Sequence, residues 1–76
     1  MEVKVTLHGA LRDHLPRQAK GKTMLTLPEG ATVAEVLQQF KLNPTVSAAV
    51  GGVQVEHAYV LQDGDDLQVF RMIGGG

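Results

Sequence analysis

From Val3 the chain alternates: Val3, Val5 and Leu7 share one side, and Lys4, Thr6 and His8 the other. A period of two marks a strand with one buried face. The same rhythm returns in "KTMLTLP", where Thr23, Leu25 and Leu27 fall together and Pro28 ends the run. Between the two lies "GALRDHLPRQAKG", long enough for a short helical turn around Leu11 and Leu15. The period then changes. Val33, Val36, Leu37 and Phe40 stand at i, i+3, i+4 and i+7, one face of an α-helix. Thr32 and Glu35 form a capping box at its start, each able to satisfy an orphan N–H of the first turn. Asn43-Pro44 is the predicted stop, because the residue before proline is pushed out of the α region.

Beyond the helix, "TVSAAV" and "VQV" flank Gly51-Gly52, which reads as a tight hairpin. Asp63-Gly64 predicts a turn, and a last strand runs from about Asp66 to Met72. One amphipathic helix has only a sheet to bury its stripe against. The expected fold is therefore α+β, a roll with a mixed sheet on one main helix, and the link from the second strand through the helix to "TVSAAV" is a right-handed crossover. Four buried apolar side chains at roughly 1.5–3 kcal/mol each are a large share of the stability such a small domain can have.

The chain of 76 residues implies a single domain over 1–76, with a flexible tail at 72–76. It has no cysteine, which removes disulfides, thiolate metal sites and a cysteine nucleophile. No apolar run nears the ~20 residues of a membrane span, and "MEVKVTLHG" lacks a signal-peptide layout, so a cytoplasmic location is expected. A net charge of −1 gives no electrostatic footprint for nucleic acid.

The paired strands, the lead-in "LPEGATVAEVLQQF", the segment "LQDGDDLQVF" and the terminal glycines together resemble the ubiquitin-like (β-grasp) sulfur carriers of the MoaD/ThiS family. These include the small subunit of molybdopterin synthase and the thiamine sulfur carrier. The likeness covers essentially the whole chain, and "DGD" one short strand before the glycines is its most specific part. The long connection after the first strand is similar to the molybdopterin-synthase subunit. The short stretch between helix and hairpin is more like the thiamine carrier. A third glycine departs from the family's Gly-Gly ending. Either its last glycine corresponds to Gly76, with Ile73-Gly74 preceding, or one glycine is surplus and trimmed.

The resemblance implies that a partner adenylating enzyme of the ubiquitin-activating kind (MoeB/ThiF type) uses ATP to activate the carboxylate of Gly76. A sulfur donor then replaces AMP to give a thiocarboxylate, and a large synthase subunit or another sulfur-accepting enzyme receives the sulfur. It implies no bound cofactor and no catalysis by the isolated chain. Glycines suit such a terminus because a Cβ would collide with the walls of a narrow, water-poor channel. Extended, the segment from Arg71 reaches at most ~20 Å past the last strand. Arg71, Met72 and Ile73 would then guide the terminus into partners, Gly74 and Gly75 would provide clearance, and Phe70 would contact the partner. With Leu67 and Val69 inward, alternation turns Phe70 and Met72 to the other face, beside Gln68. There they form a partner patch, or the long connection covers them.

Among possible destinations, molybdopterin synthesis comes first, followed by thiamine thiazole formation and tRNA thiolation. A ubiquitin-like modifier conjugated to lysines is a second class, and a β-grasp binding module that does not use its glycines is a third. Other groupings carry less. His8, His14 and His57 have no metal-ligand spacing and read as solvated or hydrogen-bonded. "DGDD" lacks the later ligands of a calcium loop and reads as a turn, although Asp65 and Asp66 could pair with a basic partner surface. Arg17, Lys20 and Lys22 read as a solvated loop, with an acidic partner or an anionic substrate as the alternative.

Overall fold

The computed structural model describes residues 1–71. Five strands, β1 (Glu2–Leu7), β2 (Lys22–Thr26), β3 (Ser47–Val50), β4 (Val53–Val55) and β5 (Asp66–Phe70), form one sheet in the order β2-β1-β5-β3-β4. The one α-helix described, α1 (Val33–Gln39), packs on it, so the expected mixed β-grasp roll is what forms. β1 and β5 lie side by side and parallel, while β2 and β3 run antiparallel to them. The link from β2 through α1 to β3 therefore passes over both central strands.

The alternation along the strands translates directly into burial. Val3, Val5, Leu7, Leu67 and Val69 are sealed from solvent together with Val33, Val36 and Leu37 of the helix stripe. Phe40, the fourth member of the stripe, is the C-cap and only half-buried. Both halves of the capping box form: Glu35 N–H donates to Thr32 Oγ1, and Thr32 N–H to Glu35 Oε2. Two further donors at the helix start are met from the loop before β5, with Val33 N–H donating to the carbonyl of Tyr59 and Ala34 N–H to that of His57. A seven-residue helix is marginal by itself, so packing and these bonds hold it.

The helix stops earlier than Asn43-Pro44 predicts. Lys41 takes a left-handed φ of 57°, and its N–H and that of Leu42 bond back to Gln38 and Leu37. This closes the helix while swinging Leu42 into the core. Gly51 and Gly52 have φ of 58° and 85°, the left-handed pair a two-residue hairpin needs.

The connection between β1 and β2 contains two 3-10 turns, Gly9–His14 and Arg17–Ala19. Leu11 of the first joins the core, and Leu15 packs against its rim. The turn after Leu61 is pinned by its own acids. Asp63 Oδ1 accepts from Glu2 N–H at 2.8 Å, and Asp65 Oδ2 accepts from Gln62 N–H at 2.8 Å. Among the described residues no helix is long and apolar enough to cross a membrane.

Candidate functional site

β5 carries two sets of side chains with different duties. Leu67 and Val69 point into the core, and Asp66, Gln68 and Phe70 occupy the outer face. Strand register supplies the neighbours of Phe70. Ser47 lies directly opposite it and Ala49 opposite Gln68, while Leu7 pairs with Val69 and so brings His8 level with Phe70 on the other side. Ser47 and Ala49 are short, so the adjacent strand does not rise to the height of the ring. His8 Nε2 and Gln68 Oε1 are hydrogen-bonded at 2.9 Å, which lays the imidazole along β5 beside it.

Phe70 is half-buried and lies outside the core cluster. The long connection sends its buried residue, Leu11, into the core beneath the sheet. Phe70 thus presents a partly exposed aromatic surface, flanked by small and polar groups, at the point where the chain leaves the sheet. Farther along the same face, Met24 is 58% exposed on β2, opposite Lys4. Lys4 and Lys22 give that flank a basic character.

Arg71 follows β5 as an exposed residue. Met72, Ile73, Gly74, Gly75 and Gly76, the remaining expected site residues, lie outside the described residues. Parallel pairing of β5 with β1 orients the strand so that the chain heads out beyond His8, at the end of the sheet where the β1–β2 connection begins.

The other constellations have structural uses. His8, His14 and His57 are each hydrogen-bonded, to Gln68, to the Leu11 carbonyl and to the Val46 carbonyl. No three His, Cys, Asp or Glu residues gather to hold a metal among the described residues. Asp65 caps its own turn through the Gln62 N–H, and Asp63 ties that turn to the start of β1 through the Glu2 N–H. Only register could have identified Ser47, Ala49 and His8 as the surroundings of Phe70. Counting back from the Gly51-Gly52 hairpin was the available signal, and it fixes β3 against β4 but not against β5.

Replacing Phe70 by alanine should weaken docking to a partner about tenfold or more while leaving the melting temperature within a few degrees. Titration calorimetry beside thermal unfolding would separate the two effects. A large loss of stability would instead show that Phe70 supports the fold.

Comparisons with known proteins bear on these residues as a set. The ThiS family model matches residues 9–76. A Pyrococcus furiosus protein assigned as molybdopterin converting factor, subunit 1, is 25% identical, with 93% of this chain and 97% of that one covered at a TM-score of 0.74. Small archaeal modifier protein 1 of H. volcanii is 14% identical over 92% of this chain and 95% of its own, at a TM-score of 0.73. The Helicobacter pylori complex of subunits 1 and 2 of molybdopterin-converting factor contains a chain 16% identical, with full coverage of both and a TM-score of 0.66. No curated protein matches the sequence.

Proposed function

The chain belongs to the ThiS family and is a ubiquitin-like sulfur-carrier type of protein, and we propose on that footing that its working atom is the carboxyl carbon of Gly76. A carboxylate is a poor electrophile until one of its oxygens becomes a good leaving group. In the proposed sequence, a partner enzyme directs a Gly76 carboxylate oxygen onto the α-phosphorus of ATP. Pyrophosphate leaves and an acyl-adenylate forms. A sulfide-equivalent donor then attacks the acyl carbon, AMP departs with the bonding pair, and a thiocarboxylate remains. The chain is the substrate of this reaction and not its catalyst.

The observation that carries this reading is the family match, which runs through the terminal glycines to residue 76. The fold supports it, since β5 is held on both sides in the middle of the sheet and gives the segment beyond Arg71 a rigid root. Phe70, with Ser47, Ala49 and His8 around it, is the docking surface that would offset the cost of ordering that segment, about 1–2 kcal/mol per residue. Arg71, Met72 and Ile73 guide it, and Gly74 and Gly75 supply clearance.

Molybdopterin synthesis is the preferred destination, in a cytoplasmic setting and with a large synthase subunit as acceptor. The likeness to the P. furiosus converting-factor subunit at 25% identity favours it over thiazole formation or tRNA thiolation. A second reading passes the same activated carboxyl to lysine amines, and the modifier protein of H. volcanii shares this fold.

The test is intact mass spectrometry after incubation with ATP, a sulfur source and an extract of the protein's own cells. One oxygen exchanged for sulfur, localised to Gly76, is the expected result. An unchanged mass in an active extract would sink the carrier reading. Lysine-linked adducts would move it to the modifier.

A further inference from the structure

The connection between β1 and β2 forms a cleft that the carrier reading does not use. Arg12, Arg17 and Lys20 line it together with Asp13, Leu15 and Pro16, around a volume of about 400 Å³. That falls within the ~300–1,000 Å³ usual for small-molecule sites. The cations come from three places in the connection: the first 3-10 turn, the second, and the residue that caps the second. Lys22, which reads as part of the same basic run in the sequence, belongs to β2 and is not among the residues that line the cleft.

Local geometry places these cations. Gly21 is buried at φ 79°, and a Cβ there would lie 2.6 Å from Arg12 Cγ and 2.6 Å from the Leu7 carbonyl oxygen. The stem of Arg12 therefore lies flat over the Gly21 backbone, and its Nε donates to the Gly9 carbonyl at 3.3 Å. Lys20 is held at a left-handed φ of 53° by its N–H to the Arg17 carbonyl at 3.2 Å. Among the described residues, none of the three cations has a carboxylate within 4.0 Å. Asp13 offsets one of the three charges and leaves the lining at a net +2.

We propose that this cleft binds a small organic phosphate monoester, with its phosphate held by Arg12, Arg17 and Lys20 and its apolar or ring portion against Leu15 and Pro16. A monoester near neutral pH carries up to two negative charges, which the net +2 lining matches. Two guanidinium groups offer the forked donor geometry that phosphate oxygens accept. Concavity favours a small molecule over a flat protein face, and an apolar wall beside the cations distinguishes an organic phosphate from the bare ion. This proposal does not rest on the carrier reading.

Amide chemical-shift titration of the isotopically labelled full chain tests it, with AMP and inorganic phosphate as probes and sodium chloride at matched ionic strength as control. AMP should give saturable shifts centred on residues 12–21, with inorganic phosphate moving the same amides more weakly. The double variant R12Q/R17Q should lose about tenfold or more in affinity, and D13N should gain. Unchanged shifts elsewhere in the spectrum would verify that these variants fold. The proposal is overturned by the absence of saturable shifts up to about 10 mM AMP, by shifts that chloride reproduces, or by binding of a hexaglutamate peptide without binding of AMP. Inorganic phosphate binding as tightly as AMP would overturn the organic part of the assignment.

Discussion

One alanine added after Gly76 should abolish adenylation by the partner enzyme. The extension moves the reacting carboxyl by one residue, about 3.5 Å along an extended chain, and adds a Cβ where the proposed channel has room only for hydrogen. Misplacing a reacting group by as little as 1 Å can cost about a hundredfold in rate, so activity in the extended protein should fall by at least that much. Pyrophosphate release in the presence of ATP and the activating enzyme measures it directly. The addition follows Gly76, past the last residue of β5, Phe70, so circular dichroism and melting temperature should match the parent. An extended chain activated at the parental rate would show that the carboxylate of Gly76 is not the group being modified, whatever family the fold belongs to.

Leu67→Ala should have the largest effect on stability. Leu67 is fully buried at the centre of the sheet, paired with Val5 on one side and Val50 on the other. Truncating a buried leucine costs about 2.5–5 kcal/mol, through lost burial and the cavity left behind. That is a large part of the 5–15 kcal/mol typical of a whole domain. At about 4–8 °C per kcal/mol for a chain this size, the midpoint should drop by at least ~10 °C. Thermal unfolding followed by calorimetry would read it, and a drop of only a few degrees would contradict the assignment of Leu67 to the core. The contrast with Phe70→Ala is informative, because the two residues sit three apart on one strand. One should lower the melting temperature, and the other should weaken binding to a partner.

Much of this architecture could be read from the chain because each signal was local. Alternation in β1 and β5, the stripe Val33, Val36 and Leu37, and the Thr32–Glu35 box concern residues a few positions apart, and all appear as expected. The helix end did not follow the rule for Asn43-Pro44, because a bulky residue, Lys41, accepted a left-handed conformation so that Leu42 could be buried. Tertiary burial outweighed a local preference there. The surroundings of Phe70 were not legible for a different reason. Which strand lies beside β5, and in what register, depends on residues some 20 to 60 positions away in sequence. The cationic cleft illustrates the same limit. Arg17 and Lys20 were conspicuous as charges, but nothing local indicated that Arg12 joins them or that Lys22 does not.

The central position of β5 has a consequence for how the protein comes into being. The strand nearest the C-terminus pairs with the one nearest the N-terminus, Lys4 with Asp66, so the sheet cannot close until almost the entire chain is available. Pairings this distant in sequence are made slowly and late in folding. A nascent chain still short of β5 has β1 and β2 but lacks Leu67 and Val69, which seal the core. Under the proposed function, completion of the fold and presentation of the terminus would be one event. On the same reading, a half-folded copy would offer its partner neither the docking surface around Phe70 nor the reactive end, and would not be charged.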